Sequence, residues 1–159
     1  MPKERITDHE EMESLLREAL VGCLATVGSD GSPYITPLNF VYHQGKIYFH
    51  SALKGRKVDN IRVNPRVCFE VHELIKIVWS QQACNFSTRY RSVLAFGRAH
   101  SLPDGAEKVA VLTALAEKYA SGQAVEPPTP KKAKGTEVIE ITIEEMTGKC
   151  NMDYNRFTG

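Results

Sequence analysis

Two turn signals constrain this chain more than any other feature. Asp30-Gly31 and His43-Gln-Gly45 cut the stretch from Gly22 to Ser51 into three short runs. Gly22 to Val27 reads as a buried strand, Tyr34 to Tyr42 as a second and Lys46 to Ser51 as a third. In the third, Ile47 and Phe49 face one way and Tyr48 and His50 the other, the period-two pattern of a strand. Asp-Gly is a strong hairpin turn, and Gly45 supplies the positive φ that a tight turn needs. Three strands joined this closely are expected to form an antiparallel meander. A sheet of short strands must then cover or close its edges.

The rest of the chain continues in kind. Thr7-Asp-His-Glu10 has capping-box form, and Met12, Leu15, Leu16, Ala19 and Leu20 recur at helical spacing, so a helix is expected over 8–20. After the third strand, Val58 and Ile61 fit a short helix that Asn64-Pro65 ends. Arg66 to His72 is a fourth strand, Leu74 to Trp79 a further strand or its continuation, and Gln81 to Tyr90 irregular. Arg91 to His100 is a strand broken at Gly97, where a bulge or a close backbone approach is expected. A helix starting near Ser101-Leu-Pro-Asp104 buries Val109, Leu112, Leu115, Ala116 and Tyr119 and ends at Gly122. Residues 123–135 read as a surface loop, Thr136 to Ile143 as the last strand and 144–159 as a polar tail. The sum is a mainly β chain with peripheral helices, a single domain over 1–159 whose short strands suit closure into a small barrel.

Composition removes several classes of function. A net charge of +1 gives no field that gathers nucleic acid or acidic membranes, and the Lys131-Lys-Ala-Lys134 run reads as solvated. No apolar run approaches the ~20 residues of a membrane span, and Met-Pro-Lys-Glu-Arg lacks the core of a signal peptide. Cys23, Cys68, Cys84 and Cys150 form no CxxC pair and read as reduced thiols, which sets the expected location as cytoplasmic. His9, His43, His72 and His100 show no ligand spacing, so no metal site is expected.

One stretch carries chemistry. From Ile47 to Val58 a strand ends, a tight loop follows and a helix begins. The Ser51 hydroxyl, the Arg56 guanidinium, the Lys57 ammonium and the free backbone N–H groups near Gly55 arrive together, which is an anion site by physics alone. A charged surface helix start is the plainer reading. Against it stands the sign, since the helix dipole disfavours two cations at an N-terminus unless an anion sits between them. His50 is either an outward-facing strand residue or part of this site. Pro37 cannot donate to a ladder, so it marks an edge strand or an interruption where backbone could face a ligand.

Taken in order, these residues resemble the pyridoxamine 5′-phosphate oxidase-like superfamily of FMN-binding split barrels, and within it the nitroimidazole-resistance (Nim) type. The resemblance rests on Gly-Cys-Leu-Ala-Thr (22–26), Pro-Tyr-Ile-Thr-Pro-Leu-Asn-Phe (33–40), Ile-Tyr-Phe-His-Ser-Ala (47–52), Gly-Arg-Lys (55–57), Asn-Pro-Arg-Val-Cys-Phe (64–69), Arg-Ser-Val (91–93) with Gly97, and Met-Thr-Gly-Lys (146–149). It implies a six-stranded antiparallel Greek-key split barrel that forms a homodimer with FMN at the interface. On the matching positions Ser51, Gly55, Arg56 and Lys57 hold the FMN phosphate, and the backbone of Pro37, Leu38, Asn39 and Phe40 flanks the ring. His50 and Ala52 line the same pocket, and Tyr90, Arg91 and Ser92 contribute from the same or the partner chain. The implied activity is an oxidoreductase that passes electrons to a small organic acceptor such as a nitroaromatic. The alternative on the same scaffold is a flavin carrier or a haem-binding protein, and some relatives hold a deazaflavin. The end of the chain, Asn151 to Phe157, does not match the substrate-binding C-terminal segment of the oxidases, so pyridoxamine phosphate oxidation itself is not expected.

Overall fold

The computed structural model describes residues 4–152. Eight strands form one antiparallel sheet: β1 (Glu4–Ile6), β2 (Gly22–Val27), β3 (Pro33–Leu38), β4 (Val41–His43), β5 (Lys46–Ser51), β6 (Arg66–Val78), β7 (Ser87–Ser101) and β8 (Glu137–Asn151). Four helices accompany them: α1 (His9–Glu18), α2 (Arg56–Val63), α3 (Ala106–Tyr119) and α4 (Pro130–Lys134). The strand order is β3-β2-β6-β7-β8-β5-β4, with β1 on the far half of β8. The sheet is therefore not the closed six-stranded barrel expected from the sequence. It has eight strands, and among the described residues β3 and β4 end the path without pairing to each other.

The expected meander fails at one point. Tyr34 to Tyr42 is two strands, and they belong to opposite ends of the sheet. Among the described residues β3 pairs only with β2, and β4 only with β5. The chain leaves the ladder at Asn39 and Phe40, where the Phe40 side chain is fully buried against Phe69, ring centroids 4.7 Å apart. The two turns behave as read. Gly31 has φ +79°, and Gln44 and Gly45 both have positive φ, the geometry that matches strand twist in a two-residue hairpin.

Other boundaries shift for local reasons. The cap of α1 is Asp8 and not Thr7, its carboxylate accepting from the Glu10 N–H at 3.0 Å. β6 continues to Val78 and carries β7 with it back to Ser87, so of the stretch expected to be irregular residues 87–90 are ladder, while 81–86 are the irregular connection, with a 3₁₀ turn at Ala83–Asn85. β8 likewise runs on to Asn151 through residues expected to be a polar tail, because β7 pairs with it along its length. The tail residues 153–157 lie outside the described residues. Thr129 caps a short α4 inside the expected loop 123–135, its hydroxyl accepting from the Lys132 N–H. Gly97 sits at a bulge between β7 and β8, and a Cβ there would stand 2.1 Å from the Thr142 carbonyl oxygen.

The main core lies inside the curved sheet, where Leu24, Ile47, Phe49, Phe69, Val71, Val93, Ile139 and Ile141 are fully buried and Leu15 and Leu16 of α1 close one side. A second, smaller core forms on the other face of β5 and β8, where Val111 and Leu115 of α3 pack on Tyr48 and Val138. The stripe expected on α3 is thus split. Lys108, Val111 and Leu115 are buried, Lys108 pairing with Asp104 at 2.9 Å, while Val109 is half-buried and Ala116 exposed.

Candidate functional site

β5 is the element that organises the site. Its alternation sends Ile47 and Phe49 into the main core and Tyr48 to the smaller one. The last two residues keep that alternation, so His50 emerges exposed on the α3 side while Ser51 is buried. Ser51 is 8% exposed, and its Oγ has no hydrogen-bond partner among the described residues. A buried hydroxyl left in this state costs about 1–3 kcal/mol, so it is an opening for a ligand atom.

The loop then turns into α2. Gly55 is the cap residue with φ +136°, a conformation that favours glycine, and no side chain caps the helix. The free N–H groups of the first turn therefore remain available. α2 is held from its far side: Val58 and Ile61 are buried, and the Asn60 amide donates to the Thr26 hydroxyl at 2.9 Å. That anchoring leaves the 55–57 end facing outward. The Arg56 guanidinium lies over the Tyr34 ring at 4.7 Å, and Lys57 is half-buried with no ion pair among the described residues. Asp30 is held below the usual carboxylate range by the Ser32 N–H and hydroxyl, with the Arg56 charge adding to them.

On the other face of β5 lies a cavity of about 380 Å³. Asn39 and His50 line it from the strand side, Leu112, Leu115, Ala116 and Tyr119 from α3, and Glu126, Pro128, Lys132 and Thr136 from the segment before β8. This explains the exposed Ala116: the apolar stripe of α3 is partly core and partly cavity wall. The end of α3 also fixes the strand break. The Tyr119 hydroxyl accepts from the Phe40 N–H at 2.9 Å and lies within donating reach of the carbonyls of Leu20 (2.8 Å) and Phe40 (3.0 Å). The Lys118 ammonium sits over the Phe40 ring at 3.9 Å and donates to the Ala19 carbonyl at 2.7 Å.

The expected site residues thus separate into groups. Ser51, Gly55, Arg56 and Lys57 are brought together by one contiguous turn of chain. Asn39 and His50 meet at the cavity. Pro37 is exposed on the edge strand β3 opposite Cys23, Leu38 packs on the main core, and Ala52 is exposed just past β5. Phe40 has its ring in the core and both backbone groups taken by Tyr119. Tyr90, Arg91 and Ser92 are not brought to this place within one chain. Ser51 pairs with Glu137 and Ser92 with Lys149, roughly 40 Å apart along β8. Arg91 is already engaged, with Glu73 at 2.6 Å and Glu11 at 3.7 Å. Sequence reasoning missed the parts played by Lys118, Tyr119, Glu126 and Lys132, because nothing in the local pattern links residues some 80 positions apart.

Residues 8–150 match the sequence profile of the family described as pyridoxamine 5′-phosphate oxidase. The chain belongs to the pyridoxamine 5′-phosphate oxidase family. Several solved structures share its architecture. A candidate 5-nitroimidazole antibiotic resistance protein from Bacteroides thetaiotaomicron superposes with a TM-score of 0.81 at 26% identity, over 94% of this chain and 87% of that one. An FAD-binding protein from Mesorhizobium loti gives 0.70 at 27%, over 96% and 100%. The FAD- and haem-binding protein from Mycobacterium smegmatis gives 0.84 at 22%, over 94% and 74%, a likeness of fold. The chain spans 58% of the length of the curated relative that it matches, an uncharacterised protein of Rhizobium meliloti 26% identical over 99 residues. Among the described residues of this pyridoxamine 5′-phosphate oxidase family member, no helix is long and apolar enough to cross a membrane.

Proposed function

We propose that this protein is an FMN-binding oxidoreductase that works on a small organic acceptor. The observation that carries the reading is the buried Ser51 Oγ without a partner, next to an uncapped helix start bearing Arg56 and Lys57. A hydroxyl, free backbone N–H groups and two cations suit a phosphate monoester, which carries up to two negative charges near neutral pH. The family and the flavin named for the Mesorhizobium loti relative support a flavin as the molecule that bears the phosphate. Bound flavin supplies reversible two-electron chemistry. The chain supplies anchorage at Ser51, Gly55, Arg56 and Lys57, and a wall at Pro37, Leu38 and Asn39. The cavity beside His50 and Asn39 is large enough for a small acceptor and mostly apolar, and the Bacteroides relative makes a nitroaromatic the first acceptor to try. Tyr90, Arg91 and Ser92 serve the same flavin only from a second copy, so the reading includes a homodimer.

The test starts with the visible spectrum of the purified protein and a titration with FMN. Flavin absorbance, saturable uptake, and bleaching by a nicotinamide donor that reverses on adding a nitroaromatic are expected. Bound flavin that no nicotinamide donor reduces leaves a carrier. A colourless protein that takes up no FMN, or one that shows a Soret band on adding haem and ignores flavin, overturns the reading.

A further inference from the structure

The helix that carries Arg56 is fastened to the sheet by two matched pairs of residues. Arg56 and Asn60 lie one turn apart on the same face of α2. Thr26 and Tyr34 lie directly opposite each other in the β2–β3 ladder, so they share a face of the sheet. The two pairs meet residue on residue. The Asn60 amide donates to the Thr26 hydroxyl at 2.9 Å, and the Arg56 guanidinium carbon stands 4.7 Å from the centre of the Tyr34 ring. Asn60 and Thr26 are 7% and 1% exposed, so the polar contact is built into the interior. An apolar pair would fill that space equally well. A buried amide–hydroxyl bond adds little net stability, and what it adds is direction. The place it fixes needs fixing, because the helix dipole disfavours a cation in the first turn. Asp30 on the adjacent hairpin turn does not take the guanidinium, since its carboxylate accepts from the Ser32 N–H at 3.0 Å and the Ser32 hydroxyl at 2.8 Å. Arg56 makes no ion pair or side-chain hydrogen bond among the described residues. Contact with a ring uses the face of a guanidinium and leaves the N–H groups along its edge for an anion.

We propose that Asn60, Thr26 and Tyr34 are positioning residues for the cofactor phosphate, holding the Arg56 guanidinium on the Ser51 turn with its N–H edge open to the anion. This rests on the reading of that turn as a phosphate anchor. The three residues act through Arg56. A fork held in place beforehand meets two phosphate oxygens without giving up side-chain freedom on binding. Lys57 has no ring contact among the described residues and supplies charge without a fixed geometry. The clamp therefore favours a flavin that bears a phosphate and does nothing for riboflavin, which has none.

Titration of the full chain with FMN and with riboflavin, followed by flavin fluorescence, tests this in the parent and in Arg56→Ala. Asn60→Ala and Tyr34→Leu should each weaken FMN binding about fivefold in the parent and less than about twofold in Arg56→Ala, where no guanidinium is left to hold. Neither should change the affinity for riboflavin. Thr26→Val should match Asn60→Ala, while Thr26→Ser and Tyr34→Phe, which keep the hydroxyl and the ring, should bind FMN as the parent does. Tyr34 is half-buried on an edge strand, so Tyr34→Leu gives the answer even where Asn60→Ala or Thr26→Val unfolds. Equal losses with and without Arg56, or a loss of riboflavin as large as that of FMN, overturn the proposal and leave these residues to the fold. A parent that prefers FMN, with Asn60→Ala and Tyr34→Leu binding it undiminished, overturns the proposal and leaves the flavin reading intact. A parent that binds neither flavin removes the phosphate anchor and the clamp with it.

Discussion

His50 and Ser51 are neighbours in the chain and belong to two differently built regions. Ser51 opens a site made by one local turn, with every polar group lying between residues 51 and 57. His50 opens on a cavity assembled from the strand break at Asn39, the end of α3 and the segment around α4. The first region depends on helix geometry and charge, and the second on long-range packing. Substitutions should therefore split cleanly: those around the turn should cost ligand and spare stability, while those around the cavity should cost stability first.

The largest effect belongs to the cavity side. Phe40 is fully buried against Phe69, and Tyr119 fixes its backbone. Phe40→Ala is expected to lower unfolding free energy by about 3–5 kcal/mol, read as a reduced urea midpoint with unchanged slope. A loss under 1 kcal/mol would mean that the strand break is held without its ring, and the contrast between the regions would weaken. On the turn side, Arg56→Ala or Lys57→Ala should each weaken FMN binding by about 1.5–3 kcal/mol. Their stability should stay within about 0.5 kcal/mol of the parent, because both lie at an outward-facing helix start. Flavin fluorescence quenching measures the first quantity and urea unfolding the second. A double variant that binds FMN as the parent does removes the anchor reading altogether.

The same contrast explains what the residues disclosed in advance. β2, β5 and α2 lie where periodicity and turn chemistry place them, and the anion turn was legible because its residue types are contiguous. The strand break was hidden, since Tyr34 to Tyr42 reads as one apolar alternating run. What divides it is a hydroxyl at position 119, which no local pattern ties to Phe40. The polar ends of β7 and β8 were missed for a related reason: each is a strand because the other is there. Ala116 was assigned to the core because hydrophobic spacing cannot tell a core stripe from the wall of a cavity.

Tyr119→Phe sharpens the point with one atom. It strips the Phe40 N–H of its acceptor, and the carbonyls of Leu20 and Phe40 lose the hydroxyl within reach of them, so a loss of about 1–3 kcal/mol is expected in unfolding. FMN affinity should change less than it does in Arg56→Ala. The reverse order would show that the cavity side, and not the turn, governs the flavin.

A smaller effect is expected from Lys118. Burial pushes its ammonium down from 10.5 to about 8. Between those values the unfolded chain keeps a proton that the folded one releases, so stability rises with pH across that window. The Phe40 ring and the Ala19 carbonyl favour the charged form, which limits the expected gain to about 1 kcal/mol between pH 8 and 10. Above pH 10 the trend reverses. Burial and the hydrogen bond to Glu13 raise the Tyr42 phenol to about 12, and stability that depends on its neutral form is lost as pH climbs from 10 to 12. Thermal unfolding at fixed salt would trace the profile, and Lys118→Met should flatten its rising limb. A parent profile that is already flat from 8 to 10 would place the ammonium in water.

The smallest effect on stability is the most discriminating, because its sign depends on the ligand. In the flavin-free protein the Ser51 hydroxyl is buried and satisfied by nothing among the described residues, so Ser51→Ala removes a penalty and should leave stability level or raise it by up to about 1 kcal/mol. With FMN present the same hydroxyl becomes a donor to the phosphate, and the substitution should weaken binding by about 1 kcal/mol, roughly fivefold. Arg56→Ala lacks this reversal, since an exposed guanidinium carries no burial penalty. If Ser51→Ala destabilises the flavin-free protein, the hydroxyl serves the fold and not a ligand, and the anchor must rest on the helix start and its two cations alone.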